Sequence, residues 1–275
     1  MTYKTLMVSL NLGESNERVL DVAGSLAQRF DAHVIGIAGG HPMQIEYAEG
    51  YATADAYESQ GKQMRQQMAD VQAEFRNALQ ARVDKLEWRE TQKLESMGDF
   101  AASQARNTDL LITGVSDGEC FGTPRAIRAV DLIMRVGRPV LVVPATADKP
   151  RLEAVLVAWK DTREARRAIA DALPLLKRAA HVCVVEMADD ADLRDAHLRL
   201  DDVVAWLARH GVVAQALAAS TDPADSDQLG AIASAQGADL IVAGGYGHSR
   251  LREWVMGGVT RSLLQGAQRC SLLSH

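Results

Sequence analysis

The segment Leu6–Leu10, with the sequence LMVSL, is a short apolar run that ends in the turn-forming residues 11–13. Such a run, bounded by a turn, is typical of a buried β-strand. Between Val19 and Phe30, apolar residues recur at spacings of three and four, which indicates a helix. The run His33–Ile37 then predicts a second strand. A strand–helix–strand unit of this kind favours a parallel sheet covered by helices.

The same order returns in the second half of the chain. Val155–Trp159, with the sequence VLVAW, is again strand-like, and a helical stripe runs from Ala168 to Leu176 before the next apolar run. Ser15 and Thr162 precede the two helices, and we predict that their side chains cap them. The two halves therefore share one pattern, which indicates an internal duplication.

The duplication continues downstream. The segment 108–114 (TDLLITG) matches 238–244 (ADLIVAG), and each is followed by a predicted helix and a short final strand, at Val140–Val143 and Ser271–Leu273. We predict two tandem, doubly wound α/β domains, residues 1–146 and 152–275, each with a five-stranded parallel sheet and helices on both faces. The segment Pro144–Pro150 is the predicted linker.

The first half is longer than the second between the matched strands. The offset between the halves falls from 149 to 130 residues, so about 19 extra residues lie there. We place them in 41–60 and in a long helix near 56–83. One face of that helix carries Met64, Met68, Val71, Phe75 and Leu79. This stripe favours core packing over the alternative, a ligand groove.

The composition excludes several classes of protein. The 275 residues are 47% hydrophobic and 24% charged, which is ordinary for a globular protein. The net charge of -6 argues against nucleic acid as a partner. No apolar stretch is long enough to span a membrane and no signal peptide is recognisable, so we expect a cytoplasmic protein. Cys120, Cys183 and Cys270 form no C-x-x-C pair and show no zinc-site spacing, and they are expected to be reduced thiols, the latter two buried.

The richest candidate for a binding loop follows the strand at 238–244. Gly244 and Gly247 are separated by two residues, and nine more separate Gly247 from Gly257. Glycines at both ends of a loop let backbone N–H groups approach an anion, and Gly257 opens the next predicted helix. His248, Arg250 and Arg252 would add positive charge, and Thr260 a hydroxyl. The pattern predicts a phosphate-binding loop, although the same glycines also suit tight turns and close helix packing.

The Gly-x2-Gly-x9-Gly spacing after a D-L-I-x-x-G strand resembles that of nucleotide-binding members of the universal stress protein family. The resemblance covers nearly the whole chain, because each half shows that family's order of strands and helices. It implies a tandem, two-domain member with the adenine nucleotide alpha hydrolase-like fold. It also implies a role in stress tolerance, with ATP and Mg²⁺ bound as a regulator.

The resemblance also assigns individual positions in the second half. Gly244, Gly247 and Gly257 match the phosphate and ribose loop, Gly258 stands where the family has Ser or Thr, and Met187 matches an adenine-lining position. The implied nucleotide-binding set is Ala158, Trp159, Lys160, Met187, Ala243, Gly244, Gly247, His248, Arg250, Gly257, Gly258, Val259 and Thr260. Lys160 departs from the pattern, because the family usually has an acidic residue there that contacts the nucleotide.

The first half departs further from that pattern. Asp117 stands at the position of Gly247, Ala126 and Ile127 replace the second glycine pair, and Asn11 replaces the acidic residue. An aspartate at that position would repel phosphate. We therefore expect the first domain to bind no nucleotide and to have a structural role.

Two other functions remain open. The first is an interaction module without a ligand, in which the last strands of the two halves pack together and pairs of chains form a homodimer. The second is a serine hydrolase, because Gly114–Gly118 fits the G-x-S-x-G motif with Ser116 as nucleophile. The residues after Ser116 predict a loop where that motif needs a helix, which disfavours a hydrolase. No general base is recognisable near the glycine loop, so we expect at most slow ATP hydrolysis.

Overall fold

The structure is a computed structural model, and it describes residues 2–40, 54–92, 96–115, 129–145, 151, 153–222, 227–245 and 269–275. It contains two compact units, which we call the first unit (Lys4–Val136) and the second unit (Met1–Tyr3 with Gly137–His275). The division between the units falls at Val136 and Gly137, whereas the predicted domains meet between residues 146 and 152. The domain boundaries that we derived from the repeat stay a prediction.

The first unit is built around four parallel strands in the order β3-β2-β1-β4. Its strands are β1 (Thr5–Ser9), β2 (His33–Gly39), β3 (Leu86–Thr91) and β4 (Leu110–Gly114). Its helices are α1 (Glu17–Phe30), α2 (Ala54–Leu79), α3 (Met97–Gln104) and α4 (Ala129–Arg135), with a 3₁₀ turn at Ala105–Asn107.

The apolar stripes of the first unit are buried as expected. The α1 residues from Val19 to Phe30 that recur at spacings of three and four face the core, as do Met68, Val71, Phe75 and Leu79 of α2. The rings of Phe75 and Trp88 lie 5.5 Å apart. Core packing is therefore confirmed for the α2 stripe. The predicted cap of α1 is wrong by one residue, because Asn16 rather than Ser15 occupies the N-cap position.

The second unit contains six strands and three helices among its described residues. Its strands are β5 (Val140–Val143), β6 (Ala154–Trp159), β7 (His181–Ala188), β8 (Gln215–Ser220), β9 (Leu240–Gly244) and β10 (Cys270–Ser274). Its helices are α5 (Arg163–Leu176), α6 (Leu193–Arg209) and α7 (Gln228–Ala235), with a 3₁₀ turn at Asp190–Asp192. The prediction that Thr162 caps α5 is confirmed, because its side chain accepts a hydrogen bond from the Ala165 N–H.

The α/β class is confirmed, but one strand differs from the expectation of five parallel strands in each half. The strands β10-β9-β6-β7-β8 are parallel to their neighbours, while β5 joins the second unit and runs antiparallel to β10. Val142 lies opposite Ser271, and Val140 lies opposite Leu273. The four apolar residues of β5 predicted a buried strand correctly, but nothing in them specifies its direction.

A cluster around Asp171 of α5 joins distant parts of the second unit. The Ser274 hydroxyl donates to the Asp171 carboxylate at 2.9 Å, and the Tyr3 hydroxyl donates to the Asp171 carbonyl at 2.7 Å. The Arg167 guanidinium lies 3.6 Å from the same carboxylate and donates to the Gly137 carbonyl at 2.7 Å. Burial raises the pKa of Asp171, against the opposing effects of Ser274 and Arg167. These contacts connect α5 with the end of β10 and with Tyr3 and Gly137, which all belong to the second unit.

The raised pKa predicts how this cluster responds to pH. In the folded chain the ionised carboxylate is disfavoured relative to the unfolded chain, so Asp171 contributes most to stability when protonated, and this contribution is lost as pH rises through its folded pKa. Asp171→Asn keeps an acceptor for Ser274 without the charge. We expect the variant to melt at a higher temperature than the parent at pH 7, and the difference to shrink as pH falls.

Thermal unfolding followed by circular dichroism between pH 4 and pH 7 measures this effect. Asp201→Asn, on the exposed surface of α6, is the matched control and should follow the parent at every pH. A melting temperature for Asp171→Asn below that of the parent at pH 7 would contradict the prediction.

Candidate functional site

The carboxyl ends of β6, β7 and β9 meet at one edge of the second unit's sheet. Ala158 of β6 lies opposite Ala243 of β9 and opposite Val185 of β7. Met187, two residues after Val185, lies at the same edge and is half-buried. Because side chains alternate along a strand, Ala158, Ala243 and Met187 share one face of the sheet. The structure thus brings together three of the predicted nucleotide-binding residues.

The remaining predicted residues fall into two groups. Trp159 and Gly244 lie at the same edge but on the opposite face, and Lys160 follows β6 with its side chain exposed. The other seven, Gly247, His248, Arg250, Gly257, Gly258, Val259 and Thr260, lie outside the described residues, as do Arg252 and Ser116. Their assignment stays a prediction.

Gly244 has a packing role that the structure shows directly. A Cβ atom at this position would lie 2.7 Å from the Ala165 backbone nitrogen and 2.8 Å from the Glu164 carbonyl carbon. Contacts this short with backbone atoms do not occur, so any larger residue would push the first turn of α5 away from β9. The first glycine of the motif is therefore required for close packing between helix and sheet.

The first turn of α5 carries its own negative charge. Glu164 is 6% exposed, and the Arg163 guanidinium donates to its carboxylate at 2.6 Å. Burial opposes ionisation, yet hydrogen bonds from its own backbone N–H, from Arg163 and from Thr162 hold the pKa of Glu164 below its ordinary value. An ionised carboxylate near a helix N-terminus is favourable. The positive charge of the α5 N-terminus is thus already compensated by the carboxylate of Glu164.

An ion pair between a buried carboxylate and a partly exposed arginine lies next to Trp159 on the same face of the sheet. Glu186 is opposite Trp159 in the β6–β7 register and is 5% exposed. Its carboxylate accepts three hydrogen bonds from Arg199 of α6, at 2.6, 3.0 and 3.3 Å. These bonds raise the pKa of Arg199. The sequence analysis did not predict this pair. Glu186 directly follows the apolar residues 182–185, and a charged residue in a buried strand indicates a partner of opposite charge.

Trp159 supplies a hydrogen-bond donor without a partner. Its indole N–H is buried, and within the part of the chain that the structure describes it donates to no acceptor. Buried donors are nearly always paired in folded proteins, so an unpaired one at a sheet edge calls for an acceptor. A ligand atom or a residue beyond the described segments would satisfy it.

The first unit differs at the equivalent edge. Ser9 and Thr113, opposite each other in the β1–β4 register, stand where the second unit has Ala158 and Ala243. Both side chains are buried, and the Ser9 hydroxyl has no hydrogen-bond partner among the described residues. Asn11 lies just beyond β1, as Lys160 lies just beyond β6.

An internal carboxylate stabilises the β1–α1 loop of the first unit. Glu74 of α2 accepts hydrogen bonds from the Asn16 backbone N–H at 3.0 Å and from its side-chain amide at 3.1 Å. The same amide donates to the carbonyls of Asn11 and Glu14, and the Asn11 N–H donates to the Asn16 side-chain oxygen. Asn16 is only 3% exposed. The carboxylate therefore lies at the positive N-terminus of α1, while the expectation that this half binds no phosphate stays a prediction.

Removal of this carboxylate should destabilise the protein. Glu74→Ala leaves the backbone N–H of the buried Asn16 without its described acceptor, so we expect the free energy of unfolding to fall by about 1–3 kcal/mol in urea titrations. Glu58→Ala on the same helix is the matched control. Glu58 is exposed, and among the described residues it forms an ion pair only with Lys62. The control should change stability by less than about 1 kcal/mol. Equal effects of the two substitutions would contradict the role assigned to Glu74.

The described residues also test the expectations on cysteines, metals and membranes. Cys183 and Cys270 are free and buried, as predicted. Burial raises the pKa of the Cys183 thiol. Burial also raises the pKa of the Cys270 thiol, to about 12. Within the described ranges no group of three or more His, Cys, Asp or Glu residues could hold a metal ion. No described helix is both long enough and apolar enough to cross a bilayer.

Comparison with known proteins identifies the fold. No protein-family model and no curated protein matches the sequence. A universal stress protein from Archaeoglobus fulgidus DSM 4304 matches with a TM-score of 0.72 at 15% identity, over 98% of this chain and 95% of that one. A functionally unknown protein from Pseudomonas aeruginosa PAO1 matches with a TM-score of 0.63 at 15% identity, over 99% and 92%. A protein from Pseudomonas aeruginosa UCBPP-PA14, described as a putative universal stress protein, matches with a TM-score of 0.60 at 16% identity, over 99% and 93%.

These matches extend over nearly the full length of the chain. The predicted resemblance is therefore confirmed at the level of the fold: the described residues have the α/β fold of the universal stress protein structure that matches 98% of this chain. At 15% identity the likeness carries no residue roles, and those of the glycine loop rest on the motif alone.

Proposed function

We propose that this chain is a tandem universal stress protein, active in stress tolerance, whose second unit binds an adenine nucleotide or a related phosphate ligand as a regulator. The observation that carries the proposal is the position of Gly244. The first glycine of the Gly-x2-Gly-x9-Gly motif is the last residue of β9, beside β6 at the carboxyl edge. Parallel α/β sheets bind their ligands at this edge.

The described residues at that edge suit an adenine ring. Ala158 and Ala243 are small and adjacent, and Met187 adds a flexible apolar side chain on the same face. On the other face, the indole N–H of Trp159 has no partner among the described residues, which supports the presence of an acceptor. ATP with Mg²⁺ is the cofactor that the motif implies. Its phosphates would be held by Gly247, Gly257 and their neighbours.

Ligand binding rather than turnover is the proposed activity. The two buried carboxylates described at this edge are already engaged, Glu186 with Arg199 and Glu164 with Arg163. A carboxylate held in an ion pair is a poor general base, so any ATP hydrolysis is expected to be slow. A regulatory protein of this kind would work in the cytoplasm.

Stabilisation by nucleotide tests the proposal. ATP and Mg²⁺ at 100 times the dissociation constant would stabilise the folded chain by about 2.7 kcal/mol, a rise of several degrees in melting temperature. Gly247→Asp places a negative charge in the loop and should abolish this rise. Gly61→Asp, on α2 of the first unit, is the matched control and should keep it. No rise in the parent with ATP or ADP, or an unchanged rise in Gly247→Asp, would refute the site.

Lys160 offers a second test, because it replaces the family's acidic residue. Its exposed ammonium at the end of β6 is placed to attract an anionic ligand. Lys160→Gln should weaken nucleotide affinity about threefold to tenfold in calorimetric titrations at low salt. Lys177→Gln, at the opposite end of α5, is the control and should leave the affinity unchanged. A tighter complex for Lys160→Gln would show that the lysine opposes binding.

The packing role of Gly244 supports a second candidate function. Since this glycine is needed for the contact between α5 and β9 whether or not a ligand binds, the motif could persist in a ligand-free interaction module. Such a module would form homodimers and carry no nucleotide through purification. Mass spectrometry of co-purifying small molecules, together with light scattering of the purified chain, separates the two functions.

A further inference from the structure

A surface pocket of about 160 Å³ lies at the amino edge of the second unit's sheet, opposite the candidate nucleotide site. It is formed by the first residues of β6 and β7, by the start of β8 and by the turn after α7. Four of its lining residues have side chains that bind metal ions or donate hydrogen bonds: His181, Cys183, Gln215 and Gln236. None of the proposed nucleotide-binding residues lines this pocket.

Two of these residues lie side by side on β7. His181 and Cys183 are two positions apart in the strand, so their side chains project from the same face. Cys183 is 7% exposed and its thiol is free, while His181 is exposed at the strand's first residue. Neither the thiol nor the imidazole has a hydrogen-bond or ion-pair partner among the residues described. Both groups are therefore available to a ligand in the pocket.

The side chains that line the pocket indicate which kind of metal ion it could bind. The lining residues include no aspartate or glutamate, so magnesium and calcium, which need carboxylate oxygens, are disfavoured. Zinc usually takes four protein ligands, and no described cluster reaches three His, Cys, Asp or Glu residues. A thiolate with one imidazole suits a soft monovalent cation, which is satisfied by two ligands.

We propose that this pocket binds one soft monovalent cation of the Cu⁺ and Ag⁺ class, held by the Cys183 sulfur and an imidazole nitrogen of His181. On binding, the thiol S–H bond breaks, its proton leaves to solvent and a metal–sulfur bond forms, with no change of oxidation state. The thiolate charge cancels that of the cation, so the bound site is neutral. Neutrality matters because the thiol is buried, and a net charge there would be costly.

The chain contains a matched control residue for each of the two proposed metal-binding residues, Cys183 and His181. Cys270 is a free thiol that is 0% exposed in β10 and lines no part of this pocket. His33 begins β2 as His181 begins β7, but Ile35 stands where the second unit has Cys183. The first unit therefore offers a histidine at the equivalent strand position without the cysteine.

The test uses the full-length chain with Cys120→Ser as the parent, because Cys120 lies outside the described residues. Ag⁺ is titrated against a chromophoric chelator, and Cu⁺ is titrated likewise without oxygen. We expect one tightly bound ion per chain, a loss of affinity of at least 100-fold in Cys183→Ser, and a loss of about tenfold or more in His181→Ala. His33→Ala and Cys270→Ser should bind as the parent does. Thermal unfolding without metal verifies that each variant is folded.

A second measurement needs no substitution of Cys183 or His181. Ag⁺ should protect Cys183 from slow alkylation by iodoacetamide, as read by peptide mass spectrometry. The proposal is overturned if the parent binds no ion, if Cys183→Ser binds as tightly as the parent, or if His181→Ala is within twofold of it. Absence of protection at Cys183 would overturn it equally. Because the pocket and the nucleotide edge share no residues, these results are independent of the proposed nucleotide binding.

Discussion

The antiparallel pairing of β5 with β10 is the interaction on which the second unit depends. Without β5, the backbone groups along one side of β10 would lack their ladder partners, and an open edge of this kind invites aggregation. β10 in turn extends the carboxyl edge, since Ser274 lies opposite Gly244 and its carbonyl accepts the Gly245 N–H at 2.8 Å. A strand from the end of the first sequence half thus supports the edge at which the second half is proposed to bind its ligand.

Much of this fold could be predicted from the sequence, because its central strands are buried on both faces and read as continuous apolar runs. The edge strands were not assigned individually. In β3 (LEWRET) polar residues alternate with others, and in β8 (QALAAS) half-exposed alanines replace the large apolar residues. The direction of β5 was also beyond prediction, because a four-residue apolar strand is compatible with parallel and antiparallel partners alike.

In the candidate site, only those residues could be predicted whose positions follow from the register of the parallel strands. Ala158, Met187 and Ala243 could be placed at one edge because parallel strands end together. The Glu186–Arg199 and Asn16–Glu74 contacts could not, since their partners lie 13 and 58 residues apart on helices whose rotation the pattern does not fix. The two units also differ at this edge. In the first unit Glu74 accepts hydrogen bonds from Asn16 in the β1–α1 loop, while in the second unit the Trp159 indole N–H has no partner among the described residues.

The hydrogen bond from Tyr3 to α5 has a mechanical consequence. Residues 1–3 belong to the second unit together with the last strand, so the first unit is an insertion within the chain of the second. A force applied between the two ends of the polypeptide would act first on Tyr3 and on β10. The inserted unit would carry tension only after the contacts of the second unit had ruptured. Pulled in this way, the two units should unravel in a fixed sequence, with the second unit yielding before the first.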